Sequence, residues 1–441
     1  MSEATLRRDG SSVFGEDVRW ATFPSVAAGW AFSEEPFLKN LYWLSFGKIR
    51  ASWGTSGQKF RQRYLAHGLW SPLQSTFEGN GAMAPDSRGG AINKKLTWEE
   101  TDQWDVGLDL SLFNYRLKLV ADYYYRYTHK QLTQADLPGN IYYFEMQWQN
   151  ALATSNQGIE IELQADILRE TAVKWRLKVN GSRNWNRFEK SSDGYDYNDM
   201  VLGKPLYQIW AYKTQGFYGS QSEVPTFPLA DNTLQPLYYG LTNGIFLPGT
   251  RRILDLNGDG KITTDDYYPV ASPLPKFHGG IANEIRWKDF DLNIFFTYSV
   301  GRHIIKLYDD WRLDGSASGG AILADINKLN VWTESNPGAD YPKQQYYAYN
   351  RSQYLGNFDC DVEKVHLLRL KQLTLGYNLN DKICNRIGVA GIRLFLTGEN
   401  VFLLTNYSGL DPEIVDIFGG TDGLRSYPLP RKFTVGLTLN F

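Results

Sequence analysis

Cysteine is nearly absent: Cys360 and Cys384 are the only two in 441 residues. That is too few for a disulfide scaffold. Histidine is scarce too, and His67, His129, His278, His303 and His366 show no HxxxH or paired spacing. This argues against a transition-metal or histidine-based catalytic centre. No excess of either charge exists, since 46 basic residues face 48 acidic ones and the formal net charge is −2. The electrostatic case for a nucleic-acid partner is therefore missing. No apolar run approaches the ~18 residues of a spanning helix. No apolar h-region follows Met1-Ser-Glu-Ala-Thr-Leu-Arg-Arg8, so no signal peptide is read there.

Aromatic residues and glycine are plentiful, with 14 Trp, 28 Tyr, 23 Phe and 41 Gly. Strand-rich proteins use aromatics for cross-strand packing, and membrane barrels use them as interfacial girdles. The pattern that separates these readings is clearest at the end of the chain. Phe433, Val435, Leu437, Leu439 and Phe441 alternate with Lys432, Thr434, Gly436, Thr438 and Asn440. Side chains of a strand point to opposite faces in turn, so one face is apolar and the other polar. The same alternation recurs. Leu117, Leu119, Ala121, Tyr123, Tyr125 and Tyr127 share one face of a strand, opposite Arg116, Lys118, Asp122 and Arg126. The shift from aliphatic residues to tyrosine suits a strand leaving hydrocarbon for the headgroup zone. Ile159, Ile161, Leu163, Ala165 and Ile167 alternate with Glu160, Glu162, Gln164 and Asp166. After a tight turn, Val173, Trp175, Leu177 and Val179 alternate with Lys174, Arg176, Lys178 and Asn180. A charge facing lipid costs roughly 2–4 kcal/mol at the midplane, and here the charges keep to one face. The acidic and basic sets are expected to stand opposite each other across this pair. The two glutamates are same-face neighbours on a strand, so a lining role fits them better than an acid/base pair.

These signals predict about twelve crossings of an all-β, antiparallel transmembrane β-barrel. Connections near 33–41, 113–115, 169–172, 288–289 and 379–390 are short. Those at about 54–96, 129–155, 188–275, 301–361 and 404–428 are long. Sorting by length is expected of an outer-membrane barrel, with short periplasmic turns and long extracellular loops; a soluble propeller or sandwich has no reason for it. The phase slips once, between Leu368/Leu370 and Leu373/Leu375, which predicts a β-bulge near Lys371-Gln372. A barrel without a leader is expected to be a fragment of a longer protein.

Several segments carry a family resemblance: Arg7-Arg-Asp-Gly-Ser-Ser12, Phe23-Pro-Ser-Val26, Lys48-Ile-Arg-Ala-Ser-Trp-Gly54, Gln157-Gly-Ile-Glu-Ile-Glu-Leu163, Leu368-Arg-Leu-Lys-Gln-Leu-Thr-Leu-Gly-Tyr377, Thr397-Gly-Glu-Asn-Val-Phe402 and Tyr427-Pro-Leu-Pro-Arg431 through Phe441. In this order they resemble the C-terminal barrel region of SusC/RagA-type TonB-dependent outer-membrane transporters of Bacteroidetes. The resemblance implies a parent with a signal peptide, an N-terminal plug and a barrel of about 22 strands, of which residues 1–441 hold the last part. It also implies import of oligosaccharides or peptides, a SusD-like surface lipoprotein and the TonB–ExbB–ExbD complex acting through the missing N-terminal part. It makes Phe441 the candidate signal for the barrel-assembly machinery, and no enzyme activity is expected.

One loop motif stands out inside the 188–275 insert. Asp255-Leu-Asn-Gly-Asp-Gly-Lys-Ile-Thr-Thr-Asp-Asp266 follows the twelve-residue calcium loop, with oxygen side chains Asp255, Asn257 and Asp259 and the turn glycine Gly260. The Lys261 carbonyl, Thr263 and Asp266 would complete a structural Ca²⁺ site. Loop aromatics such as Trp70, Tyr142, Tyr143, Trp148, Trp210, Tyr239 and Trp311 are candidates for stacking on sugar rings. The competing function is a secreted calcium-binding protein that binds or degrades glycans. Such a protein would bury its apolar strand faces in a water-excluding core.

Overall fold

The computed structural model describes residues 1–60, 65–68, 70–77, 80–85, 90–138, 144–197, 199–229, 231–240, 243–306, 329–343, 356–386, 388–422 and 427–441. Twelve strands run as one antiparallel meander: β1 (Ser2–Gly10), β2 (Trp20–Trp30), β3 (Leu44–Gln58), β4 (Glu99–Leu112), β5 (Leu117–Asp136), β6 (Met146–Leu168), β7 (Val173–Lys190), β8 (Phe277–Trp287), β9 (Phe290–Lys306), β10 (Val362–Asn378), β11 (Gly391–Thr405) and β12 (Lys432–Asn440). Each pairs with its neighbours in sequence. Among the described residues β1 pairs only with β2 and β12 only with β11, so the sheet is an open arc and not a closed barrel.

The ladders put the alternating residues in register. Ala121 lies opposite Ile161 and Leu119 opposite Leu163; Leu163 in turn faces Val179. The row continues through Ile281, Phe296, Leu370 and Phe402, and a second row on the same face runs through Leu292, Leu375, Leu396 and Val435. At the other end Trp53 pairs with Trp104 and Ala51 with Val106. One face of the arc is thus apolar from β3 to β12. Among the described residues nothing covers it: Val106, Ile161, Leu396 and Val435 are 51%, 46%, 49% and 81% exposed. A continuous uncovered apolar surface far larger than a soluble monomer tolerates marks a membrane or partner surface. The buried core expected of the secreted alternative does not form on this face. No helix among the described residues is long and apolar enough to cross a membrane, a statement that does not bear on strands.

The phase slip is a bulge. Phe295 faces Gln372 and Phe296 faces Leu370, so Lys371 is skipped on this ladder and on the β11 side. A second bulge falls at Gly301, with Val300 opposite His366 and Arg302 opposite Val365. Gly301 has φ +75°, the left-handed conformation that glycine adopts without steric cost. The turn between β8 and β9 uses Lys288 at φ 51°.

Connections 31–43, 113–116, 169–172, 288–289 and 379–390 leave one end, and 11–19, 59–98, 137–145, 191–276, 307–361 and 406–431 leave the other. The four longest share an end as expected, but the one expected to be long at 129–155 shrinks to 137–145 and is shorter than 31–43. The details differ from the sequence reading. The connection at 379–390 holds a helix, α1 (Asp381–Arg386), and the 59–98 connection holds a hairpin, Trp70–Phe77 with Asn80–Pro85. Strands β5 and β6 run well beyond the alternating stretch, to Asp136 and from Met146. Buried apolar clusters lie at the long-loop end. Phe14, Phe23, Phe60, Leu96 and Trp98 form one. A larger one lies within the 191–276 connection.

Candidate functional site

The polar face of the arc carries paired charges. Arg50 on β3 reaches Asp109 at 3.2 Å and Asp122 at 2.7 Å, tying three strands. Farther along, Arg176 meets Asp166 at 2.6 Å, Lys178 meets Glu284 at 2.7 Å and Arg393 meets Asp291 at 2.6 Å. Pairs of this exposure are each worth about 0.2–1 kcal/mol. Their main effect is a hydrophilic wall whose charges are largely cancelled. The expected facing of acidic and basic sets is corrected by the register. Glu160 faces Ser182, Glu162 faces Asn180, and only Asp166 meets a cation, Arg176, directly across β6–β7. Lys178 turns instead to Glu284 on β8. The glutamates line a recess of about 330 Å³ with Asp122, Asn180, Ser182 and His278.

Glycines in this wall are roofed by aromatic rings of the next strand. A Cβ on Gly436 would stand 2.1 Å from the Phe395 ring, and one on Gly158 would stand 2.5 Å from Tyr124. Both rings thereby lie flat along the polar face, filling the space that a side chain would take.

Above the arc, residues 191–276 fold into a compact headpiece. Ile209–Tyr212 pairs with Tyr267–Ala271, and Thr214–Phe217 with Arg251–Ile253. Its core holds Tyr212, Tyr218, Leu237, Tyr239, Phe246, Ile253 and Ile262, closed by Phe358 from the 307–361 connection. Burial pushes the Tyr218 phenol up to about 12. The Tyr268 phenol is raised to about 12 by desolvation and by its bond to Asp359, to which it donates at 3.0 Å. Tyr239 is only 4% exposed, so it is a core residue and not a stacking platform. Trp148 packs against the Phe14 cluster, and Trp210 donates to the Asp199 carbonyl at 3.2 Å. Trp70 is 64% exposed. Tyr142, Tyr143 and Trp311 lie outside the described residues.

The twelve-residue loop is ordered by its own oxygens. Asp255 accepts from the amides of Gly258 at 2.7 Å and Gly260 at 2.9 Å. Asn257 accepts from the amide of Asp259 at 3.0 Å, and Asp259 from that of Lys261 at 3.1 Å. Gly258 and Gly260 have φ +77° and +79°, which side chains rarely adopt. Asp266 is fully buried and accepts from the amides of Leu256 at 2.8 Å and Thr263 at 2.9 Å. Thr263 caps Asp265, completing a capping box with Asp266. Ile262 anchors the loop in the headpiece core. Among the described residues no group of three or more His, Cys, Asp or Glu side chains is gathered to hold a metal. The loop offers an all-oxygen donor set of the kind a hard cation takes. Its carboxylates are turned to backbone amides.

A family model described as TonB dependent receptor-like, beta-barrel matches residues 3–209. TonB-dependent receptor P3 of Formosa agariphila is 30% identical over 99% of this chain and 43% of its own length. TonB-dependent receptor SusC of Bacteroides thetaiotaomicron is 27% identical over 99% of this chain and 42% of its own. The RagAB peptide importer in the 'open-open' state superposes over 100% of this chain and 45% of that chain, with a TM-score of 0.77 and 25% identity. Over nearly its whole length the chain is similar to SusC/RagA-type TonB-dependent receptors. It spans less than half the length of the curated relatives it matches.

As a SusC/RagA-type barrel segment, the arc reads simply. Its uncovered apolar face is the outer wall of a transmembrane barrel and its charged face the inner wall. The curated relatives are named as TonB-dependent receptors, and Glu160 and Glu162 lie in the polar wall of the arc. Phe441 follows directly on β12 and is 91% exposed. The sequence did not expose the inward packing of residues 407–418 against β9 and β10. Its sole trace there was the slip near Lys371.

Proposed function

We propose that this chain is the C-terminal barrel portion of an outer-membrane nutrient importer. In this reading it forms part of the wall of a passage for oligosaccharides or peptides. The observation carrying the proposal is the predominantly apolar outer face of the arc, from Trp53 on β3 to Val435 on β12, backed by an inner wall of paired charges. The likeness to these receptors adds the partners: a SusD-like lipoprotein over the long-loop end and the TonB–ExbB–ExbD complex, acting through the N-terminal part of the parent. Phe441 is the terminal aromatic that the barrel-assembly machinery would read. Fractionation tests the reading. The parent protein is expected in the outer membrane, with heat-modifiable mobility in detergent. Recovery as a soluble protein, insensitive to heating, would overturn it.

The loop at Asp255 to Asp266 is proposed as a structural Ca²⁺ site. Asp255, Asn257, Asp259 and Asp266, with Thr263 and the Lys261 carbonyl, would supply the oxygens. A bound cation would pin the headpiece through Ile262. Asp at the twelfth position is shorter than the usual bidentate Glu, which favours weaker binding.

A further inference from the structure

The two bulges change what the inner wall offers at its upper end. Below Lys371 the inner face of β9–β10 shows Gln372, Thr374 and Asn293. Above it the register turns Arg369, Leu367 and Val365 inward, and past Gly301 it turns Arg302 and Ile304 to the same side. Ile304 and Val365 are fully buried against Tyr407 and Val415, a small apolar core on the face that elsewhere is charged. Beside it Arg369, 3% exposed, holds Asp411 and Glu413 at 2.5 Å each, and Lys371 holds Glu413 at 2.9 Å. Arg302 donates to the carbonyls of Pro412 at 2.9 Å and Asp416 at 3.2 Å. Tyr407 donates to Asp422 at 2.5 Å, and Thr421–Asp422 runs parallel to Ile305–Lys306.

Residues 407–422 are therefore not part of an open surface loop. They are strapped to the inside of the wall by an apolar core, two buried arginines and a short parallel pairing. Exposed on the strap are Leu410, Ile417 and Phe418, at 58%, 50% and 56%, together with Ser408 and Asp416, and Phe418 packs on Tyr207 of the headpiece at 4.8 Å.

Resting on the import reading, we infer that residues 407–418 form a fixed constriction that sets the bore of the passage on this side of the barrel. The anchor is buried and multiple, so the strap is a standing part of the wall and does not swing as a gate. It determines which solutes fit.

The test uses the full-length receptor in planar bilayers with its plug released by urea. Single-channel conductance and the cut-off against polyethylene glycols of graded size are read. Replacing 409–418 with a short Gly-Ser link is expected to raise conductance and move the cut-off to larger polymers. The double variant Asp411→Asn with Glu413→Gln is expected to shift both the same way, by less. Unchanged conductance and cut-off in variants that keep heat-modifiable mobility would overturn the inference. Should those variants fail to insert, Lys371→Cys with Glu413→Cys decides the placement. The crosslink is expected to form with a reducible bifunctional thiol reagent long enough to span the two side chains replaced, since a direct disulfide needs Cα atoms about 4.4–6.8 Å apart, and its reduction to shift conductance toward that of the freed strap. Absence of the crosslink overturns the strap. Absence of any channel in the unmodified receptor would instead sink the import reading itself.

Discussion

Ile161→Arg separates a membrane wall from a water-exposed sheet more sharply than any other single change. Ile161 lies within the apolar band of β6, between Ala121 and Gly181 on the adjacent strands. It is 46% exposed with no acidic residue opposite it. If that face meets acyl chains, an arginine there costs roughly 2–4 kcal/mol near the midplane and about 0–1 kcal/mol close to the interface. At the midplane the folding equilibrium would then fall by about 30- to 700-fold, at a factor of ten per ~1.4 kcal/mol. If the face meets water, the same change is a surface substitution and stays within about 0.5 kcal/mol. The next residue supplies the control. Glu162 points to the polar side, opposite Val120 and Asn180, so Glu162→Arg should be nearly silent. The assay is urea-dependent folding of the full-length receptor into phospholipid vesicles, read by heat-modifiable mobility. An Ile161→Arg midpoint equal to that of Glu162→Arg would refute the assignment of faces.

Three further outcomes are expected. Gly436→Val forces a side chain into the Phe395 ring, 2.1 Å from the new Cβ, and should cost about 1–3 kcal/mol; adding Phe395→Ala should recover part of it, and strict additivity of the two changes would contradict the ring-over-glycine contact. Titration calorimetry with Ca²⁺ on the folded receptor should give a binding heat that Asp255→Ala abolishes, and no heat at millimolar Ca²⁺ would remove the metal proposal. For Tyr218 and Tyr268 the folded state keeps the phenol protonated up to about 12, whereas an unfolded tyrosine ionises near ~10. Between those pH values the unfolded chain binds fewer protons, so headpiece stability should fall as pH rises and be unaffected below that window. Spectroscopic phenolate titration of Tyr218→Phe beside the parent checks the assignment.

Period-two alternation made the wall legible, because burial on one side forces every second residue to comply. It assigns the faces of the strands from Leu117 to Val179 and predicts the bulge at Lys371. Cross-strand partners were less legible. Alternation fixes a face but not a register, so Glu162 was expected to meet a cation and meets Asn180. The headpiece was read as an open insert because its strands are only two to five residues long and carry no sustained period. Tyr239 was read as an exposed ring for the same reason: its burial depends on Phe246 and Ile262, contacts made at a distance along the chain. The strap was hidden because Asp411-Pro-Glu413 looks like any polar loop until Arg369 is known to face inward. The calcium-like spacing at Asp255 was plain in the sequence, and the Asx-type amide bonds of Asp255, Asn257 and Asp259 follow from it.

Every ladder of the main arc except the short Thr421–Asp422 contact joins strands that are consecutive in the chain. No long crossover has to be rerouted when one β-hairpin is inserted or lost. Circumference can therefore change two strands at a time during evolution, with the remaining pairings undisturbed, while the headpiece and strap stay with the hairpins that bear them.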